Sequence, residues 1–501
     1  MRGTAIALRG AAAPWTYQHL RERSSAVASC LSQHGVTIGE RVLLVAPSVP
    51  EFAAAYYGIH AIGAIAVTAN AMSTAAELEY FGRDAAASLV LAWHEIEPAP
   101  TRAAAALGVP YRSLFDELAD LPVAAPAPLH ESAESDTAVI LYTSGTTGQP
   151  KGAELTHGNI LACGEIIGQV LELTDRDRLG MALPLFHVFG QVAMMSMALH
   201  HGASVSLLQR FEPGAMLDLL IDHRLTLVAG VPTMWNALLH ASENRSPEAF
   251  SALRAAVSGG AALPMSVLTA FEERFGCTIL EGYGLSETAG AATFTGLHRG
   301  RKPGSVGIAL PRLEVQVVDD AGDPVANGER GEVWIRGPVV MKSYWDRPEA
   351  TSETLHDGWL RTGDIGTLDE TGDLRIVDRK KDLIIRGGYN VYPREVEEIL
   401  YQHPDVVEVA VIGIPDEHYG EEIAAVLTLR VEAEFDPVAL REWATRHLSA
   451  YKIPRLYLRV DSLPKGPSGK ILKRAIDRAV VVADAQRVSS RTALTANPQK
   501  P

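Results

Sequence analysis

The 501-residue chain predicts an α/β fold: a large N-terminal domain of several subdomains, followed by a small α+β C-terminal domain. Three observations carry that expectation. Short runs rich in β-branched residues alternate with helical spacing as far as about Pro311, the texture of parallel α/β units. After that point the chain turns β-rich. Five consecutive charged residues, Asp378-Arg379-Lys380-Lys381-Asp382, then precede a compact stretch of helices and strands.

The elements follow in order. The most apolar window, 52–71, reads as a buried helix over 51–62 and a buried strand over 64–68. Ala and Gly dominate it and His60 and Asn70 interrupt it, so no membrane span is expected. Strands are expected at 138–142, 203–208, 225–229, 255–258 and 278–280, many followed by Gly or Pro and then helical spacing. The β-rich section places strands at 313–318, 330–335 and 374–377. They are separated by turn signals such as Asp319-Asp320-Ala321-Gly322 and Glu370-Thr371-Gly372-Asp373. The charged run reads as a solvated loop suited to a hinge, dividing residues 1–380 from 381–480. Beyond it come a helix over 393–401 opened by Pro393, and strands over 406–412 and 423–429. A helix capped by Asp436 with Pro437 at its first position follows, then a strand over 455–460 and a helix over 471–480. The tail, 481–501, lacks periodicity and is expected to be disordered.

Composition narrows the function. With 47% hydrophobic and 21% charged residues, the chain is neither disordered nor fibrous. Its net charge of −15 argues against a protein whose task is gripping nucleic acid, so anions must be met by locally placed positive groups. Cys30, Cys163 and Cys277 follow no metal or disulfide spacing, which fits a reducing, cytoplasmic setting. Residues 1–14 are too short and too interrupted, by Arg2 and Arg9, for a signal peptide.

The strongest single signal is Tyr142-Thr143-Ser144-Gly145-Thr146-Thr147-Gly148-Gln149-Pro150-Lys151-Gly152, directly after an expected strand. Its glycines let backbone N–H groups approach an anion, its hydroxyls add donors, and Lys151 supplies a compact positive charge. It is not a Walker A loop, because Pro150-Lys151-Gly152 stands where Gly-Lys-Ser/Thr would end one.

This segment resembles the phosphate-binding loop of the adenylate-forming superfamily, which comprises acyl- and aryl-CoA synthetases, nonribosomal peptide adenylation domains and firefly-type luciferases. Other stretches are similar to that superfamily's motifs in the same order. They are Pro184-Leu185-Phe186-His187-Val188-Phe189-Gly190, Ser258-Gly259-Gly260-Ala261, Glu281-Gly282-Tyr283-Gly284-Leu285-Ser286-Glu287-Thr288, Trp359-Leu360-Arg361-Thr362-Gly363-Asp364, Asp378-Arg379, Gly387-Gly388-Tyr389-Asn390 and Pro467-Ser468-Gly469-Lys470. The resemblance covers about residues 15–478. It implies a small C-terminal domain that rotates about a hinge at Lys381, Mg²⁺ as cofactor, and ATP and CoA as co-substrates.

The resemblance also implies roles. ATP and AMP would be bound by Thr143, Ser144, Gly145, Thr146, Thr147, Gly148, Lys151, Gly260, Ala261, Glu281, Gly282, Tyr283, Ser286, Asp364 and Arg379, with the Tyr283 ring on adenine. Thr143 and Glu287 would hold Mg²⁺. Lys151 and Lys470 would be catalytic, Lys470 reaching the substrate carboxylate and the α-phosphate. His187 would border the acyl carboxylate and position it. Phe189, Met194, Val231, Gly259, Gly282 and Gly284 would line the acyl pocket with His187, and Gly387, Gly388 and Tyr389 the CoA tunnel. The chemistry suits these residues: the Asp364 carboxylate can accept two ribose hydroxyls, and Glu287 offers a hard oxygen to Mg²⁺. Lys470, read as near the start of the last helix, opposes that helix's dipole, a conflict expected of a functional residue.

The implied reaction has two halves: a carboxylate attacks the α-phosphorus of ATP to give an acyl-adenylate and pyrophosphate, and a thiol then takes the acyl group and releases AMP. The run from Arg386 to Glu397 looks most like bacterial fatty acyl-CoA ligases. Gly282 stands where the similar malonyl-CoA synthetases carry an arginine, so a medium- or long-chain monocarboxylic acid is expected. Three rivals remain. An acyl-AMP ligase loading an acyl carrier protein would carry an insertion, for which the segment between Glu287 and Leu360 leaves no room. A luciferase-like oxidase would share every motif. A non-catalytic nucleotide sensor would not need Lys151, Glu287, Asp364 and Lys470 together. Ile385 departs from the pattern, standing where some relatives have a lysine. A homodimer is left open.

Overall fold

A computed structural model describes residues 3–114, 129–143, 150–466 and 469–488. The chain divides into two compact units. The first comprises Met1–Gln316, Trp334–Thr362 and Thr371–Leu374; the second comprises Val317–Val333, Gly363–Glu370 and Arg375–Pro501.

Among the described residues, the first unit holds a seven-stranded and a nine-stranded sheet. In the larger one, Thr278–Tyr283, Ala255–Ser258, Leu227–Gly230 and Arg178–Met181 lie side by side and parallel, with Gly230 opposite Ser258 and Ser258 opposite Glu281. Ala255–Ser258 and Leu227–Gly230 are buried along their whole length, which is why they read as uninterrupted apolar runs. The helix Met265–Phe275 lays Leu268, Phe271 and Phe275 onto this sheet and ends at Gly276, whose φ of +65° only glycine adopts easily. Trp235 and Phe250 complete that core. The Trp235 indole N–H donates to Ser258 Oγ at 2.9 Å, so the buried ring leaves no polar atom stranded.

In the second unit, Val406–Asp416 and Gly420–Leu429 form a long antiparallel hairpin, with Leu456–Arg459 parallel to the latter. The helices Pro393–Tyr401 and Pro437–His447 bury Val396, Leu400, Leu440 and Ala444 against it. Asp436 caps the second helix, accepting from the Val438 and Ala439 N–H groups at 2.9 and 3.1 Å.

Three sequence expectations fail here. Residues 481–488, expected to begin a disordered tail, are ordered: Val481 and Val488 are buried and Gln486–Arg487 pairs with Leu456–Arg459. The stretch 471–480 is not a helix: Ile471 bridges Lys465, a short 3₁₀ turn covers Lys473–Ala475, and the α-helix runs Arg478–Asp484 from an Asp477 cap. Nor is 378–382 a solvated loop throughout. Asp378 and Arg379 close the strand Leu374–Arg379, and Asp378 is buried. In the first unit the apolar window forms the helix Pro50–Ala61 and the strand Ile65–Ala69, and no described helix is long and apolar enough to cross a membrane. All three cysteines are buried and none forms a disulfide; burial pushes the Cys163 and Cys277 thiols up to about 12.

Candidate active site

The carboxyl ends of adjacent parallel strands are where open α/β sheets bind ligands. Here four neighbouring strands end together, delivering Tyr283, Gly259, Val231 and the loop to His187 at one edge of the first unit's larger sheet. A Cβ built on Gly259 would lie 3.3 Å from the Phe189 ring and 3.6 Å from Gly282 O, so these three are in contact. Gly260 has φ +79° and lies beside Val231 Cγ1. Met194 is buried on a π-helix, Phe189–Ser196, an irregular element frequent at functional sites.

Two pocket glycines have other neighbours than the sequence implies. The space beside Gly282 is taken by Phe294, its partner on the next strand, 2.8 Å from a Cβ placed there. At Gly284 a Cβ would come within 2.5 Å of the Gly290–Ala291 backbone, so close chain approach demands this glycine. Glu281 is buried, its N–H donating to Thr295 Oγ1 at 2.8 Å, while Gly260 and Ala261 are exposed and Ser286 opens a short 3₁₀ turn.

His187 sits in a tightly braced turn. The Phe189 N–H donates to His187 Nδ1 at 3.2 Å, which leaves the ring proton of the neutral imidazole on Nε2. Ser48 donates to Leu183 O, Thr68 to Phe186 O, and the buried Gln191 amide to Leu185 O at 2.9 Å. Ser48, Thr68 and Gln191 escaped sequence reasoning, because nothing local marks a residue that braces a distant loop.

At the phosphate end, Thr143 and Lys151 face each other across an antiparallel strand pair. Ser144, Gly145, Thr146, Thr147 and Gly148 lie outside the described residues. Both ends of that loop are fastened: Tyr142 donates to Asp84 Oδ2 and Tyr80 to Pro150 O, each at 2.7 Å. Lys151 Nζ stands 5.3 Å from the centre of the Tyr344 ring, and the Tyr344 hydroxyl donates to Glu287 Oε1 at 2.8 Å. Burial and then the Glu287 charge push the Tyr344 phenol well above its ordinary pKa, so it remains a donor. Among the described residues no group of three His, Cys, Asp or Glu side chains could hold a metal. A lone carboxylate is nevertheless the donor set that suits Mg²⁺ carried in on phosphates.

The second unit brings together the other polar residues. Asp364, on the strand Trp359–Leu368, is buried and lies 3.2 Å from Arg379 Nε. Lys381 is exposed in the turn closed by the Asp382 N–H on Arg379 O; desolvation and then the Arg379 charge lower its pKa. Lys470 stands in a tight hairpin whose ends are joined by the Gly466 N–H on Lys470 O at 2.7 Å, with Gly469 at φ +80°. No helix dipole opposes it, so that part of the sequence argument falls. Its side chain is exposed by surface area, yet desolvation and then the like charges of Arg379 and Arg394 lower its pKa to about 8, against Asp364 and Asp382. The Lys470 hairpin is flanked by two ion pairs, Lys465–Glu408 at 2.6 Å and Lys473–Glu397 at 2.8 Å.

Gly387 and Gly388 form a two-residue hairpin between Ile384–Arg386 and Tyr389–Val391, with φ +57° and +84°. A type I′ turn needs positive φ at both positions, which accounts for the pair of glycines. Tyr389 is exposed and stacks on Tyr451 at 5.0 Å.

Comparison with known proteins gives the family. The model of the AMP-binding enzymes matches residues 2–345, and that of the AMP-binding enzyme C-terminal domain matches residues 395–470. The chain belongs to the AMP-binding, adenylate-forming enzymes. It is 36% identical to a long-chain-fatty-acid–CoA ligase of Bacillus subtilis, over 92% of this chain and 89% of that one. It is 38% identical to a feruloyl-CoA synthase of Amycolatopsis, over 95% and 96%. Among solved structures, ATP-bound MatB from Rhodopseudomonas palustris superposes with a TM-score of 0.89 at 32% identity, covering 95% of this chain and 96% of that one. The ligase is thus an AMP-forming acid–thiol ligase, and ATP and CoA fit its family as substrates.

Proposed function

We propose that the ligase activates a monocarboxylic acid with an apolar tail, medium or long aliphatic chains favoured, as its acyl-adenylate and transfers the acyl group to CoA. The observation that carries this reading is the wall around the strand ends: Phe189, Met194, Val231, Gly259, Gly282 and Phe294 present no charge to a substrate tail. The fatty-acid ligases among the relatives point the same way, whereas the feruloyl-CoA synthase favours an aryl acid as the second reading.

In this reading Lys151 and the backbone of 144–149 meet the phosphates, and Asp364 with Arg379 holds the ribose. His187 Nε2–H orients the acid. Lys470 stabilises charge on the attacking carboxylate and the α-phosphate. Glu287, with Thr143, would hold Mg²⁺, which when bound offsets phosphate charge. Lys381 serves as the hinge of a small domain beginning at about residue 381, and Gly387, Gly388 and Tyr389 admit the thiol in the second half-reaction. ATP–pyrophosphate exchange over a panel of aliphatic, aromatic and dicarboxylic acids tests the assignment. Each methylene buried contributes up to about 0.8 kcal/mol, so kcat/KM should climb several-fold per two carbons until the pocket is filled. A maximum at acetate or at a dicarboxylate contradicts the reading, and a maximum at cinnamic-type acids selects the second one.

A further inference from the structure

Tyr344 touches two groups of opposite charge with two different parts of its side chain. Its hydroxyl holds Glu287 Oε1 at 2.8 Å, and its ring faces Lys151 Nζ at 5.3 Å from the centroid. The short segment that carries it is stitched to both neighbours. Ser343–Tyr344 pairs antiparallel with the strand Lys151–Thr156, Tyr344 opposite Ala153, and the Trp345 N–H donates to Gly152 O at 2.7 Å. On the other side the Met341 N–H donates to Glu287 O at 2.8 Å. Tyr344 itself is buried, with its N–H on Thr351 Oγ1 at 3.0 Å.

An ammonium and a carboxylate that neighbour the same partly buried side chain attract each other, and direct contact between them would be an ion pair. Such a pair would neutralise both: the lysine would lose its pull on phosphate and the carboxylate its hold on a cation. Among the described residues no ion pair joins Lys151 to Glu287; the Tyr344 side chain touches each instead. The hydroxyl engages one carboxylate oxygen and so fixes the direction of the other, while the ring face gives the ammonium a weak, readily exchanged partner in the meantime.

We propose that Tyr344 is a positioning residue that keeps Lys151 and Glu287 apart, the hydroxyl orienting Glu287 for a divalent cation and the ring holding Lys151 ready for the phosphates. This rests on the ATP-dependent reading above. The two functions sit on separable atoms, which a residue that merely fills space would not show. Tyr344→Phe removes the hydroxyl and keeps the ring; Tyr344→Leu removes both.

The test measures three quantities on the full chain: Mn²⁺ affinity of the enzyme–ATP complex by electron paramagnetic resonance, ATP affinity by calorimetry with and without Mg²⁺, and acid-dependent pyrophosphate exchange against Mg²⁺ concentration. For Tyr344→Phe we expect Mn²⁺ affinity and the half-saturating Mg²⁺ concentration to worsen about ten-fold, the size of a lost hydrogen bond to a charged group, with metal-free ATP affinity within two-fold of wild type. For Tyr344→Leu we expect metal-free ATP binding to weaken as well, by at least five-fold. If Tyr344→Phe leaves cation affinity unchanged, or both variants change only the melting temperature, the proposal is overturned while the ligase assignment stands. Should Tyr344→Leu fail to fold, the Tyr344→Phe arm still decides. A wild-type chain that neither binds ATP nor exchanges pyrophosphate overturns both.

Discussion

Raising the pH should switch off one half-reaction of this ligase through Lys470. With its pKa lowered to about 8, the side chain carries its charge at pH 7 and loses it as pH rises through that value. The charged fraction then falls from about 0.9 at pH 7 to about 0.1 at pH 9, whereas an ordinary lysine, with pKa about 10.4, would stay almost fully charged over the same interval. If the ammonium stabilises charge at the attacking carboxylate, ATP–pyrophosphate exchange should drop about ten-fold between pH 7 and 9, with a midpoint near 8. If Lys470 acts in the first half only, as proposed, thioester formation from supplied acyl-adenylate should not fall through that midpoint, since the CoA thiol becomes more nucleophilic as pH rises. Lys470→Ala should lower exchange on the order of 10²-fold or more at pH 7, abolish the midpoint, and spare the second half. Exchange that stays flat to pH 10 in the wild type, or equal losses in both halves on removing Lys470, would refute this role.

Three further outcomes are expected. Gly282→Arg must displace Phe294, which already fills the space beside Gly282, so the substitution alone should abolish use of long acids without admitting a dicarboxylate; acid-panel exchange kinetics check this, and efficient dicarboxylate use would contradict it. Lys381→Pro places proline third in the turn 379–382, fixing its φ and driving Lys380 from the α region. Pyrophosphate exchange should survive it while overall thioester synthesis falls, and two unchanged activities would move the hinge elsewhere. Phe271→Ala, at a fully buried ring stacked on Phe275, should cost about 3–5 kcal/mol in denaturant titration; less than about 1 would mean the core relaxes around the gap.

What could be read in the sequence was local or patterned. Pro393 and the Asp436-Pro437 pair mark helices that begin where those signals stand, and the strands at 138–142 and 255–258 announce themselves by unbroken apolar character. The misread helix at 471–480 has apolar spacing that fits a helix, but the hairpin closed by Gly469 and the ion pairs of Lys465 and Lys473 win over it. The true start at Asp477 carried a readable cap signal. Asp378 looked solvated within a run of charged residues; its buried carboxylate accepts from the Arg379 and Arg394 N–H groups, the latter sixteen residues away. For the site, Lys151 in its Gly- and Thr-rich loop stands out by type and spacing, while Thr143, Glu287, Asp364, Arg379 and Lys470 stand out through resemblance to the family's motifs. Tyr344, Gln191, Thr68 and Phe294 do not, because each acts through a partner at least fifty residues away or across a strand pair, and a single chain carries no trace of that proximity.

The measurement that reaches the central claim most directly is a single turnover of the full chain with Mg²⁺, ATP, a ten- to fourteen-carbon acid and CoA, quenched over time and resolved by mass spectrometry. The expected result is an acyl-adenylate that accumulates when CoA is withheld and decays on its addition, giving acyl-CoA, AMP and pyrophosphate in equal amounts. ADP and phosphate as products, or an adenylate that forms but never passes its acyl group to CoA, would contradict the assignment.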